Sequence, residues 1–323
     1  MNARDRGLAR SPATGASMRA LPDAPSRNLV DRFAPAAWRP RLRLARFDRP
    51  IGAWLLLFPC WWGQGLAELA LGRAFPDPRY LALFLIGAFV MRGAGCVYND
   101  IIDRDFDARV ARTAGRPIAS GEVSVREAWA WLLALCLVGL LVLAAFNAFT
   151  IGLGVLSLGL VAVYPFAKRY TFWPQVVLGL TFKWGALLGW AAVAGSLSWA
   201  ALALYAGSVL WTVGYDTIYA HQDKSDDLAL GLKSSALRLG AQTPAWLAGF
   251  YAGAILLWAC AGTLAGAKLV FLLALAAAGL QMAWQVVTLD VSDAENCLAR
   301  FRSNQRVGWI VFLGIVAEMA RRF

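Results

Sequence analysis

The sequence predicts an all-α polytopic membrane bundle of about nine transmembrane helices around a central cavity, with two pseudo-repeated four-helix parts. Three observations predict it. Of 323 residues, 59% are apolar and 16% charged, against roughly 45–50% and about 25% in soluble domains. Several apolar runs reach the roughly 20 residues that cross a bilayer as helix. Lysine and arginine are also unevenly placed, with 24 of the 31 falling in alternate connecting segments. Cytoplasmic loops carry such an excess, so the net charge of +11 calls for no nucleic-acid partner.

Residues 1–40 are rich in Arg, Pro, Ala and Ser without an apolar period, and are expected to form a disordered cytoplasmic arm. A secretory signal would need an apolar stretch of roughly 7–15 residues, which the arm lacks. The transmembrane domain is then 41–323. Its entry, RLRLARFDR at 41–49, alternates basic and apolar residues, as a segment lying at the membrane surface does. Spans are expected at 51–70, 80–98, 128–146, 149–166, 174–194, 199–220, 245–264, 268–289 and 306–320. Thirty glycines suit close helix packing where lipid gives no hydrophobic drive. Trp61, Trp62, Trp173 and Trp199 fall near span ends, where indoles favour the headgroup level.

Five cysteines without CxxC spacing read as buried small side chains. A single histidine, His221, excludes histidine-cluster metal sites and reads as a loop residue. Metal ligation therefore falls to oxygen. Two acidic clusters supply it, four spans apart and both on the cytoplasmic side. The first is NDIIDRDFD, with Asn99, Asp100, Asp103, Asp105 and Asp107. Continued as helix, it sets Asn99, Asp103 and Asp107 on one stripe. Like charges so placed repel unless a cation sits among them, and a helix C-terminus disfavours acids. The second is YDTIYAHQDKSDD, with Asp216, Asp223, Asp226 and Asp227; Asp223 and Asp227 are again four apart. Such oxygen sets suit Mg²⁺ carrying a diphosphate. Arg92 and Lys183 lie inside spans, where a charge costs roughly 2.5–3.5 kcal/mol on insertion scales, so both are expected to face a cavity. Lys168, Arg169, Arg109, Arg112 and Arg116 offer phosphate-binding cations, whereas Arg126 and Lys233 read as ordinary inside charge.

These motifs resemble the UbiA superfamily of intramembrane aromatic prenyltransferases. NDxxDxxxD at 99–107 runs on into RTAGRPIASGEVS, and YDxxYAxQDxxDD at 215–227 into GLKSSALRLG. RFDRPIGAWLLLFPCWWG at 46–63 and YPFAKRYTFWPQVVLG at 164–179 resemble the branch acting on 4-hydroxybenzoate. The likeness spans about residue 42 to the C-terminus. It implies Mg²⁺-dependent transfer of a polyprenyl group from its diphosphate to the ring carbon beside the phenol hydroxyl, on the route to ubiquinone, in the bacterial inner membrane or else the mitochondrial one. Carried over by motif, Asn99, Asp100, Asp103, Asp107, Asp223 and Asp227 form the Mg²⁺–diphosphate set. Asp103, Asp223 and Arg169 are the expected catalytic residues. Arg49, Arg92, Lys168, Arg169, Lys183 and Asp216 bind substrate, with Arg49, Arg92 or Lys183 on the acceptor carboxylate. The partners are polyprenyl diphosphate, 4-hydroxybenzoate and lipid, with no obligate protein partner. Naphthoate, homogentisate or haem are alternative acceptors. A CDP-alcohol phosphotransferase is disfavoured, since DARVAR lacks that class's glycine. A two-part cation transporter would hold its acids near the midplane rather than at one face.

Overall fold

Alternating apolar runs and polar, proline- or glycine-bearing joints dictate helices packed antiparallel, and the computed structural model, which describes residues 28–322 except Ala111, has that order. The short N-terminal helices α1 (Leu29–Phe33) and α2 (Arg39–Leu44) precede α3 (Ile51–Ala70), α4 (Pro78–Asp107), α5 (Val125–Leu143) and α6 (Ala148–Val163). Then come α7 (Ala167–Tyr170), α8 (Pro174–Phe182), α9 (Gly185–Ala194), α10 (Trp199–Ala220), α11 (Lys224–Ala229) and α12 (Ser235–Leu239). The chain closes with α13 (Thr243–Leu264), α14 (Leu269–Val287) and α15 (Ala294–Ala320). Among the described residues, six helical segments are long and apolar enough to cross a membrane.

Every expected span falls on helix, with four differences of physical origin. The 174–194 segment is broken at Lys183 and Trp184. Its second half leans on α3, where glycines permit near-backbone contact: a Cβ on Gly189 would run into the Cys60 carbonyl, and one on Gly63 into that of Ala186. The final helix starts twelve residues before the expected 306, because Asp293 caps it on Glu295 N and Asn296 N and Asn304 finds buried partners in Trp211 and Gln285. Trp61 and Trp62 are core residues rather than headgroup anchors. Trp62 packs on Trp211 and Trp258 with centroids 5.3 and 4.9 Å away, and its indole donates to the Gly308 carbonyl. Trp199, by contrast, is 78% exposed, as an interfacial indole should be.

The fourth difference concerns the arm. Residues 1–27 lie outside the described residues, but helix begins at Leu29, not after residue 40. Asn28 caps α1 through Asp31 N, Asp31 pairs with Arg43, and Val30 is buried. These contacts fold the segment over the end of the bundle that carries the acids.

The α3–α9 crossing gives the fold's clearest test. Gly189→Ala forces two backbones apart and is expected to cost roughly 1–3 kcal/mol. Gly152→Ala, whose Cβ would meet nothing within 4 Å, is expected to be neutral or slightly stabilising. Thermal unfolding of the purified variants in detergent measures both; equal melting points would refute the close crossing.

Candidate active site

Helix α4 runs on past the membrane-length segment, and this carries the first acid motif into one stripe. Asn99 donates to Asp103 Oδ2 at 3.0 Å, the i, i+4 contact the spacing predicts. The second motif is not one continuous helix. α10 ends at Ala220, a single tight turn covers His221–Asp223, and α11 restarts at Lys224. The turn brings Asp223 and Asp227 to the same cavity as Asp100, Asp103 and Asp107. That cavity holds about 980 Å³. Its acid end is built from α4, the 108–116 turn, α7 and α11, and its walls from α3, α5, α6 and α8.

Four of the acids there, Asp100, Asp103, Asp107 and Asp223, have a basic partner in hydrogen-bond range. Arg46 Nη2 reaches both oxygens of Asp100 at 2.8 Å. Arg116 spans Asp100 at 3.1 Å and Asp107 at 2.8 Å. Lys168 Nζ lies 2.6 Å from Asp103 Oδ2, and Arg112 clasps Asp223 through Nε and Nη2. Arg46 adopts a left-handed backbone with φ of 61°, a conformation costing about 1–3 kcal/mol in a non-glycine residue; its two bonds to buried Asp100 hold it there. Burial alone would lower the Arg116 pKa, but Asp100 beside it holds the group above its ordinary value. Burial, with Asp223 adding, pushes Asp227 up to about 6. Burial pulls His221 down to about 4, so its ring is neutral and joins Thr243 at 2.9 Å. It is a buried joint of the second motif rather than a loop residue.

The expected substrate residues separate into three groups. Arg49, Arg92, Lys168 and Asp216 line the cavity. Arg92 lies over the Phe182 ring at 4.9 Å, in a space left by Gly52, where any Cβ would strike the guanidinium. Tyr164, Tyr215, Tyr219 and Asp216 are around this deep end of the polar region. Arg169 stands one layer behind the cavity wall. Its guanidinium rests on Phe106 and Phe166 at 5.2 and 5.3 Å and is 3.7 Å from Asp103 Oδ1. Lys183 is wholly buried in the bundle. Its ammonium donates to the Leu55 carbonyl at 2.7 Å and sits over Trp211 and Tyr215. The break after α8 turns it toward α3 and away from the lining, so it does not reach a cavity ligand.

Sequence reasoning missed Arg46, which it read as an interfacial cation. The available signal was Pro50, which starts α3 and forces 45–50 to turn, aiming Arg46 back at α4.

Among the described residues, no three Asp, Glu, His or Cys side chains converge as a ready-made metal cage. The donor set nonetheless suits Mg²⁺, which takes one or two carboxylates and fills its remaining positions with phosphate oxygens and water. Asp103 Oδ1 is buried without a hydrogen bond, an acceptor left open beside the cavity. Arg112, Arg116 and Lys168 are cations of the kind that bind phosphate oxygens. The site thus offers negative groups for a cation and positive groups for the anion it carries. Because charge-assisted bonds contribute about 1.5–3 kcal/mol, Lys168→Ala is expected to weaken Mg²⁺-pyrophosphate binding about tenfold or more. Arg169→Ala is expected to weaken it less; calorimetric titration reads both, and the reverse order would contradict the geometry.

The chain matches the model described as the UbiA prenyltransferase family over residues 56–313. It is 49% identical over 316 residues to the 4-hydroxybenzoate polyprenyltransferase, mitochondrial, of Rattus norvegicus, covering 97% of this chain and 83% of that protein. The protein of the same name from Homo sapiens is 49% identical over 284 residues, covering 88% and 76%. Among solved structures, an apo UbiA homologue from Aeropyrum pernix K1 superposes with a TM-score of 0.69 at 27% identity, covering 82% of this chain and 98% of that one. A UbiA homologue from Archaeoglobus fulgidus bound to GPP and Mg²⁺ shares the fold, with a TM-score of 0.62 at 19% identity over 87% and 99%. Motif, cavity and likeness agree: the chain belongs to the UbiA prenyltransferase family.

Proposed function

We propose that this chain catalyses Mg²⁺-dependent transfer of a polyprenyl group from polyprenyl diphosphate to the ring carbon ortho to the hydroxyl of 4-hydroxybenzoate, a step of ubiquinone biosynthesis. The observation that carries the reading is the union of two acid motifs, remote along the chain, in one cavity that is apolar beyond Arg92. The names of the rat and human relatives support the acceptor. The chain is a multi-pass membrane protein. We assign nine spans, α3, α4, α5, α6, the α8–α9 pair, α10, α13, α14 and α15, in two four-helix parts plus one. The segment after residue 40 forms the catalytic domain, and the N-terminus faces the cytoplasm of a bacterial inner membrane. The mitochondrial names of the relatives make the mitochondrial inner membrane the second assignment.

Asn99, Asp100, Asp103, Asp107, Asp223 and Asp227 would hold Mg²⁺ with the diphosphate. Bound there, Mg²⁺ supplies charge neutralisation for the departing diphosphate. Lys168, Arg112 and Arg116, now paired with Asp103, Asp223 and Asp107, would bind the phosphate oxygens while those carboxylates held the metal. Asp103 and Asp223 fix the two sides of the grip, and Arg169 supports Asp103 from behind. Arg92, with Arg49 nearer the mouth, binds the acceptor carboxylate, while Asp216 and Tyr215 orient the ring. Apolar walls keep water from the carbocation-like carbon until the ring attacks. The ring proton then passes to a cavity carboxylate or to the departing diphosphate.

Membranes given radiolabelled prenyl diphosphate and 4-hydroxybenzoate are expected to form a lipid-soluble aromatic product that vanishes with EDTA. The absence of turnover with every aromatic acceptor tried would sink the assignment and favour a transporter. Asp103→Ala and Asp223→Ala are each expected to abolish product while the protein still inserts. Arg92→Gln is expected to raise the KM for 4-hydroxybenzoate about tenfold or more, the scale of one lost charge-assisted bond. Lys183→Gln should leave that KM unchanged.

A further inference from the structure

We infer that the tail end of the cavity is a length gauge for the prenyl chain, closed by a slab formed by Phe84 and Phe146. This rests on the reading of the site as a prenyl diphosphate site. The cavity lining continues along one face of α4 from Asp103 through Arg92 and Ala88 to Phe84. Beyond Arg92 the walls are apolar: Met91 and Gly87 from α4, Leu132, Cys136 and Leu143 from α5, and Val155 from α6. The two hydroxyls there are satisfied locally, Ser157 on the Gly154 carbonyl and Thr150 on Asn147. Nothing polar is therefore left to bind except at the acid end, so the occupant that fits is the hydrocarbon attached to the diphosphate.

At the far end Phe146 stacks on Phe84 with centroids 4.8 Å apart, and on Tyr80 at 5.7 Å. The slab is pinned, because the next residue, Asn147, caps α6 through Thr150 N and donates to the carbonyls of Ala191 and Ala192. From Asp103 to Phe84 is 19 residues of one helix, roughly 28 Å at about 1.5 Å per residue. An extended isoprene unit, four carbon–carbon bonds of about 1.5 Å in zigzag, advances roughly 4–5 Å. About six units therefore fit between the diphosphate and the slab. Longer chains must turn aside, and the flank between α5 and α6 admits them: Leu140, Val155 and Leu158 line the cavity yet are 55, 53 and 51% exposed. Units inside the groove gain packing contacts; units past the slab sit in lipid and gain none.

The test uses the whole protein in nanodiscs with 4-hydroxybenzoate and prenyl diphosphates from geranyl to decaprenyl, supplied at equal mole fraction of lipid. The wild type is expected to show kcat/KM rising about twofold or more per unit up to about six units and then levelling. Gly87→Leu, one turn inside Phe84 with only Val142 near its Cβ at 3.3 Å, is expected to move the break to a chain about one unit shorter. Phe84→Ala with Phe146→Ala is expected to move it longer. Each variant is read as the ratio of kcat/KM between lengths, so a general loss of active protein cancels, and Phe146→Leu serves if the double variant fails to fold. A smooth rise through decaprenyl in the wild type, or a break that none of the variants moves, overturns the gauge while leaving the proposed reaction standing. Consumption of no prenyl diphosphate at any length instead overturns the reaction itself, and the gauge with it.

Discussion

The structure turns on the problem of keeping five aspartates together at the edge of a membrane. Asp100, Asp103 and Asp107 recur on one side of α4, at the helix end where carboxylates are least welcome, and all three are buried. Burying a charge is costly unless it is paired and hydrogen-bonded. The pairing comes from far away in sequence: Arg46 from the turn before α3, Arg116 from the turn after α4, Lys168 from α7. Arg112 does the same for Asp223. The joints before α3, after α4 and at α7 are thus drawn toward the acids. The pairs hold the site in shape and leave it labile. Removing one partner of a buried pair is strongly destabilising, whereas exchanging it for another charge of the same sign is not. A phosphate can take the cations while a divalent metal takes the carboxylates, and the balance of charge survives the exchange.

Much of this was legible in the sequence because membrane helices announce themselves by length and because helical spacing is rigid. The expected apolar runs fall on helix, six of the described segments being long and apolar enough to cross a membrane, and Asn99 meets Asp103 as the i, i+4 rule requires. The union of the motifs followed from their equivalent places, four spans apart and both on the cytoplasmic side. Less legible were features set by tertiary contact. Nothing in TFKWGALL shows by periodicity that the helix breaks at Lys183; the break follows from how closely Gly185 and Gly189 approach α3. The direction of Lys183 follows in turn from that break, and a depth argument alone sent it to the cavity. Arg46 was hidden for a related reason, since alternating basic and apolar residues describe a surface segment equally well until the turn at Pro50 is known.

The restart at His221 is a subtler case. DxxxD suggests one continuous helical face, and the structure delivers both carboxylates to one cavity by a different route, through a tight turn and a new helix. Burial leaves the His221 ring neutral, which lets it serve as a joint to Thr243 without adding charge beside Asp223. A loop that must carry acids, bend, and stay attached to α13 needs a polar hinge that can be buried. A neutral imidazole provides one more cheaply than a lysine or an arginine, whose charge would demand a further partner.

Placing the acids at one end and the aromatic slab at the other also gives a use to the glycines on the lining faces of α4 and α6. A diphosphate needs polar groups at a single point, whereas a hydrocarbon tail needs a long surface that offers nothing polar. Helices supply such a surface only if their own backbones stay satisfied and their side chains stand back. Gly87, Gly95 and Gly154 on the lining provide the standing back, and the intact i to i−4 ladder provides the satisfaction. The cost is a groove with few side chains to hold its walls together, met by pinning the far end through Asn147 and the near end through the ion pairs. The two chemically opposite ends of the substrate are therefore served by two chemically opposite ways of closing one cavity.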